Sequence, residues 1–67
     1  MQHDKLTARL SGVARMLDVS TSTVRRRMKD DPEFPRPFRM APNGDLLWAV
    51  ADLQAYVAAK SMQARAA

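Results

Sequence analysis

The chain has 67 residues, 11 Lys+Arg against 7 Asp+Glu, one His and no Cys, for a formal charge of +4. A chain of this length is one domain that buries only about 60% of the surface its unfolded form exposes, which leaves no room for a catalytic cleft beside a second, ligand-sensing domain. Without cysteines there are no disulfide staples or thiolate metal sites, and no apolar run approaches the ~20 residues of a membrane span or the apolar stretch of a signal peptide.

Residues 1–9 are polar, with Leu6 the only large apolar side chain after Met1, and read as a loose arm. Ser11, before Gly12-Val13-Ala14, is a candidate N-cap whose hydroxyl can accept an orphan amide of the first turn. Val13, Ala14 and Leu17 then recur at helical spacing, with Met16 at the margin of their face. The pattern stops at Asp18-Val19-Ser20. Ser20 is a second N-cap candidate, and a second short helix follows to about Lys29, with a narrow apolar stripe of Val24 and Met28. Two short helices joined by about three residues predict a helix-turn-helix.

Asp31-Pro32 reads as a new turn, because the residue before proline avoids the α conformation and Pro suits a first turn position. The run Phe34-Pro35-Arg36-Pro37-Phe38-Arg39-Met40 is extended. Pro42-Asn43-Gly44-Asp45 is a turn and Leu46-Leu47-Trp48 a second strand, which together predict a hairpin whose prolines suit an edge. From Ala49 helical spacing returns, with Val50, Leu53, Tyr56 and Val57 on one face. Asp52, Gln54 and Lys60 lie off it, and the alanine-rich end has little to pack against. The predicted fold is mainly α with a small β-hairpin: a winged helix-turn-helix over residues 10–60, with a two-stranded wing and a C-terminal helix. The arm precedes it, and residues 61–67 form a helical extension or tail.

That order makes a chemical claim. The second helix of such a motif lies in the DNA major groove, with its N-terminal residues at base edges. With Val24 and Met28 turned inward, Ser20, Thr21, Ser22, Thr23, Arg25, Arg26 and Lys29 form the candidate reading surface. Arginine donates bidentately to guanine, and Ser and Thr hydroxyls serve bases or phosphates. Arg27 is expected to turn partly toward the hairpin. In the wing, Arg36, Arg39 and Asn43 are candidate contacts to the backbone or minor groove, with Gly44 allowing a tight tip. Read blandly, the three consecutive arginines are a solvated face and Asn43-Gly44 simply a good turn.

Other features point elsewhere or nowhere. Pro32-Glu33-Phe34-Pro35 fits a polyproline-ligand pattern, although its phenylalanine suits a packed crossing. Asp30, Asp31 and Glu33 form an acidic cluster expected to be solvated and to repel DNA at that edge. His3 has no partner for acid–base work, so no enzyme, cofactor or metal site is expected. Phe34, Phe38, Trp48 and Tyr56 are expected in the core, and Met16, Met28 and Met40 as gap fillers.

Leu10-Ser11-Gly12-Val13-Ala14 followed by Val19-Ser20-Thr21-Ser22-Thr23-Val24 resembles the opening of AlpA-type regulators and phage excisionases. Phe34-Pro35-Arg36-Pro37 resembles their proline step, Trp48 their tryptophan, and Asp52-Leu53-Gln54-Ala55-Tyr56-Val57 their last helix. The likeness covers about residues 10–60. It implies a MerR-like winged helix-turn-helix in which Ser22, Thr23, Arg25 and Arg26 belong to the DNA-reading segment. Asp18 stands where many helix-turn-helix proteins have glycine, which predicts a slightly different turn. The loop around Asp30-Asp31-Pro32-Glu33 is longer and more acidic than the pattern.

A bare winged domain at +4 gains limited affinity from phosphates alone, so occupancy calls for several copies side by side or a partner protein. The resemblance therefore implies an excisionase, a recombination directionality factor that binds repeated double-stranded DNA sites cooperatively, bends them and favours integrase-mediated excision of a mobile element. Its implied partners are further copies of itself and a tyrosine or serine integrase, with residues 61–67 and the arm around Leu6 as contact surfaces. Its implied place is the bacterial cytoplasm, on the nucleoid. Three alternatives stay open: a small AlpA-type transcriptional regulator of an integrase or excisionase gene, a protein-interaction adaptor docking through the Pro-rich segment, and a fragment of an assembly protein such as a phage terminase small subunit.

Overall fold

A computed structural model describes residues 5–66; residues 1–4, including His3, and residue 67 lie outside the described residues. In chain order the elements are β1 (Thr7–Ala8), α1 (Leu10–Leu17), α2 (Thr21–Asp30), β2 (Phe38–Arg39), β3 (Leu46–Ala49) and α3 (Val50–Ala66). Three helices thus stand against a small antiparallel sheet of order β1-β3-β2.

The first departure from expectation is β1. Thr7 pairs with Ala49 and Ala8 with Trp48, and the Leu6 carbonyl accepts the Val50 amide at 2.9 Å. The end of the expected loose arm is therefore the third strand of the sheet, and the two-stranded wing is too small a description. Two residues have no legible period, so only the pairing partner reveals them as a strand. The same strand moves the start of α1. Arg9, extended at φ −86° and ψ 174°, is the N-cap and supplies no side-chain hydrogen bond. Ser11 sits one turn position inside the helix instead of capping it.

α1 ends in a left-handed cap. Asp18 has φ 60° and ψ 45°, the Asp18 amide donates to the Arg15 carbonyl at 3.2 Å, and the Val19 amide reaches back to the Ala14 carbonyl at 2.9 Å. Bonds of this span satisfy the last carbonyls of a helix, and glycine is the usual residue at such a position. Asp18 takes a left-handed conformation that favours glycine, so this position carries local strain.

Ser20 caps α2 as expected: its Oγ accepts the Thr23 amide at 3.1 Å. After α2, Asp31 organises a tight turn. Its Oδ1 accepts the Glu33 amide at 3.0 Å and its carbonyl accepts the Phe34 amide at 3.0 Å. Of the extended run that follows, only Phe38 and Arg39 pair in the sheet, opposite Leu47 and Leu46. The hairpin closes with the Gly44 amide on the Ala41 carbonyl at 2.9 Å, and a side chain at Gly44 would stand 3.3 Å from that oxygen.

Val13, Ala14, Val24, Phe34, Trp48, Leu53 and Tyr56 form one core. α1 and α3 contribute two each, and α2, β3 and the segment after α2 one each, which is how a chain this short closes a core. The Trp48 indole N–H donates to the Pro35 carbonyl at 3.2 Å, and Phe34 meets Tyr56 edge to face at 5.0 Å. Three expected core or filler residues lie at the surface: Met16, Phe38 and Met40, the last 74% exposed. Phe38 and Met40 sit on the narrow hairpin, which has no second layer of structure to cover them. Met28 and Leu17 do pack against the core, each half-buried.

Candidate nucleic-acid interface

α2 divides into two faces at helical spacing. Val24 is fully buried and Met28 half-buried, while Ser22, Arg25, Arg26 and Lys29 project to solvent along one stripe. Positions three and four apart share a face, so these four side chains form a continuous outward ridge. Among the described residues no carboxylate pairs with any of the three cations in it. Thr21, half-buried, stands beside the start of this ridge.

Ser20 and Thr23 are occupied locally. The Ser20 and Thr23 hydroxyls lie 2.9 Å apart, and Arg26 Nη2 donates to Thr23 Oγ1 at 3.5 Å. Both residues thus shape the first turn of α2, and Thr23 steadies the Arg26 guanidinium. No acidic residue stands in that first turn, so the positive end of the helix dipole is open there.

Arg27 breaks from its two neighbours. Its Nη1 donates to Tyr56 Oη on α3 at 3.4 Å, which corrects the expectation that it turns toward the hairpin. One helical step, about 100°, carries it off the outward ridge toward Tyr56, although its side chain stays exposed.

The acidic cluster is also reassigned. Tyr56 Oη donates to Asp31 Oδ2 at 2.7 Å, while Lys60 Nζ stands 3.5 Å from Asp31 and 3.3 Å from Glu33. The same ammonium lies 5.6 Å from the Tyr56 ring centroid. Asp31 and Glu33 are therefore engaged with α3, and of the three acids only Asp30 has no ion-pair partner among the described residues. The Tyr56 bond, helped by the Glu33 amide and Lys60, holds the Asp31 carboxyl below its ordinary range. Burial, with the bond to Asp31, pushes the Tyr56 phenol up, and the Glu33 carboxylate raises Lys60. Sequence reading missed this clamp on α2. Its one sequence signal is Tyr56 on an apolar helix face, since a buried phenol hydroxyl needs a partner.

In the wing, Arg39 Nη1 donates to the Gly44 carbonyl, so Arg39 braces the turn that carries Asn43. Asp45, the next residue, pairs with Arg9 at 3.2 Å and ties the hairpin to the start of α1. Arg36 and Asn43 are exposed and Gly44 half-buried. Of the expected reading residues, Ser22, Arg25, Arg26 and Lys29 thus share one ridge of α2, whereas Arg36 lies in the segment before β2 and Arg39 and Asn43 in the hairpin.

Among the described residues no helix is long and apolar enough to cross a membrane, and no group of three or more metal-ligating side chains converges. No protein-family model, no curated protein and no solved structure matches the chain.

Proposed function

We propose that this chain is a double-stranded DNA-binding protein of winged helix-turn-helix type. In this reading α2 enters the major groove with Ser22, Arg25, Arg26 and Lys29 toward the bases and phosphates. Thr21 and the Ser20–Thr23 cap lie at the groove edge, and Arg36, Arg39, Asn43 and Gly44 form the wing beside the backbone. The observation that carries it is the outward ridge of α2: three cations with no carboxylate partner among the described residues, on a short helix whose opposite face is buried. Coulomb attraction to a duplex of high linear charge favours such a surface, and guanidinium geometry suits guanine edges.

The adaptor reading fares worse on a specific observation. Phe34 is buried and the Pro35 carbonyl is held by Trp48, so the centre of the Pro-rich segment is built into the core. Salt titration of duplex binding separates the two. A DNA binder loses affinity steeply between about 50 and 200 mM salt, by roughly 0.9 in log–log slope for each phosphate contact, whereas a proline-segment contact does not.

The narrower role rests on the resemblance of the short motifs to AlpA-type regulators and phage excisionases. It supports a recombination directionality factor that works in several copies on DNA with an integrase. Deleting the gene and measuring excision of the neighbouring mobile element tests it. Lost excision with unchanged integrase transcript supports the directionality role; lost integrase transcript supports the regulator reading.

A further inference from the structure

We propose that the cleft between β1 and the outer side of α1 takes a stretch of DNA phosphate backbone, so that the duplex contact extends past α2 and the hairpin; this rests on the DNA-binding reading. The cleft has a volume of about 700 Å³, and Lys5, Thr7, Arg9, Ser11 and Arg15 line it together with Gly12. Among the described residues no acidic side chain lines it. Lys5 and Arg15 are exposed and have no carboxylate partner among the described residues. Arg9 has one, Asp45, but both side chains are largely open to water at 73% and 66% exposure. An exposed pair of this kind holds weakly and exchanges readily for a phosphate.

Two further observations favour a polyanion here. α1 starts inside the cleft with no side-chain cap and no acidic residue in its first turn, so the dipole there is uncompensated where Ser11 and Gly12 line the wall. The cleft also adjoins the wing. Arg9 lines both the cleft and the depression formed with Arg39, Asp45 and Leu46. Basic side chains therefore stand at intervals from Arg39 on the hairpin to Arg9, Lys5 and Arg15, with the Asp45 carboxylate beside Arg9, a spacing that suits successive phosphates of one strand better than a single small anion.

The test is duplex binding across about 50 to 300 mM salt for the full chain, for Lys5→Gln/Arg15→Gln and for Ser11→Glu. The double variant is expected to shallow the slope by about 2 and to weaken binding about tenfold near 0.1 M salt. Ser11→Glu adds an acid to the first turn, which suits the helix dipole, so its thermal midpoint is held or raised while duplex affinity falls. A loss of affinity with stability intact cannot come from misfolding. If both variants bind as the parent does, with the same slope, the cleft proposal is overturned while the α2 reading stands. If the unaltered chain binds no duplex, both are overturned. Chemical-shift changes at Lys5 and Arg15 with inorganic phosphate, without any effect of the variants on duplex binding, would mark a small-anion pocket and also overturn it.

Discussion

Tyr56 Oη donates to Asp31 Oδ2 at 2.7 Å, joining residues 25 apart in sequence and fastening α3 to the end of the proposed reading helix. Arg27 completes the fastening from the other side of the same hydroxyl. α2 is thus capped within its own first turn by Ser20, while its last turn is tied to α3 through a phenol. Tyr56→Phe keeps the edge-to-face contact with Phe34 and removes only the hydroxyl. The expected result is a lower thermal midpoint with the same helical signal by circular dichroism, and an unchanged midpoint would show that the hydroxyl does not stabilise the fold.

The three consecutive arginines are expected to separate in a binding assay. Arg25→Ala and Arg26→Ala each cost about 1–3 kcal/mol on a specific site, the range for a lost arginine–guanine contact. Arg27→Ala leaves affinity within about twofold, because its guanidinium is spent on Tyr56. Equal losses from all three would place Arg27 on the interface and contradict the division of faces described above.

Acid should loosen the clamp. The folded Asp31 carboxyl titrates below its ordinary value of 3.8, chiefly through the Tyr56 bond. A depressed carboxyl contributes stability that is complete above its unfolded value and lost as pH falls through the folded one. Urea midpoints are therefore expected to drop below about pH 4, and Asp31→Asn flattens that limb. At the alkaline end Tyr56 and Lys60 are both raised above their ordinary values of 10.0 and 10.5. Their contribution is complete below those values and lost as pH rises through the folded ones, so the midpoint also declines above about pH 10.

Asp18 carries strain that a substitution can relieve. A left-handed residue with a Cβ costs about 1–2 kcal/mol, less for Asp than for bulkier side chains. Asp18→Gly removes the clash but adds freedom to the unfolded chain, for a net gain of up to about 1 kcal/mol. Asp18→Val adds a β-branch at φ 60° and is expected to cost about 1–2 kcal/mol. Chemical denaturation of both variants decides it, and equal midpoints would remove the strain argument.

Leu53 is 1% exposed at the centre of the core, where α3 meets the sheet and α1. Leu53→Ala is expected to cost about 2–5 kcal/mol, the range for a buried leucine replaced by a cavity. In a domain of this size that is a large share of the total, so a shift of the urea midpoint by less than about 1 kcal/mol equivalent would mean that the core collapses around the gap.

The order helix, turn, helix, hairpin, helix was legible along the chain, and so was the outward stripe of α2. Ser20 announced its cap and Asn43-Gly44 its turn, because such signals act within four residues. Val24 with Met28, and Leu53 with Tyr56, marked the inner faces through their spacing. What the reading lost followed a different rule. Aromatic character predicts burial for Phe38, yet the hairpin is one layer thick and leaves it at 39% exposure. Acidity predicts a solvated Asp31, yet its side chain is 19% exposed and held by Tyr56 and Lys60, while Glu33 stays exposed beside Lys60.

Sequence alone thus determined the local conformations and the amphipathic faces, which depend on neighbours one helical turn away. Only the tertiary structure decided that Thr7 and Ala8 are a strand, that Arg27 serves the fold while Arg25 and Arg26 face outward, and that Lys5, Arg9 and Arg15 share a cleft. Each of those outcomes depends on a partner brought close by packing, and the opening balance of 11 basic against 7 acidic residues is silent on it. Charge along a chain is additive, but a binding surface is made by which charges the core leaves without partners.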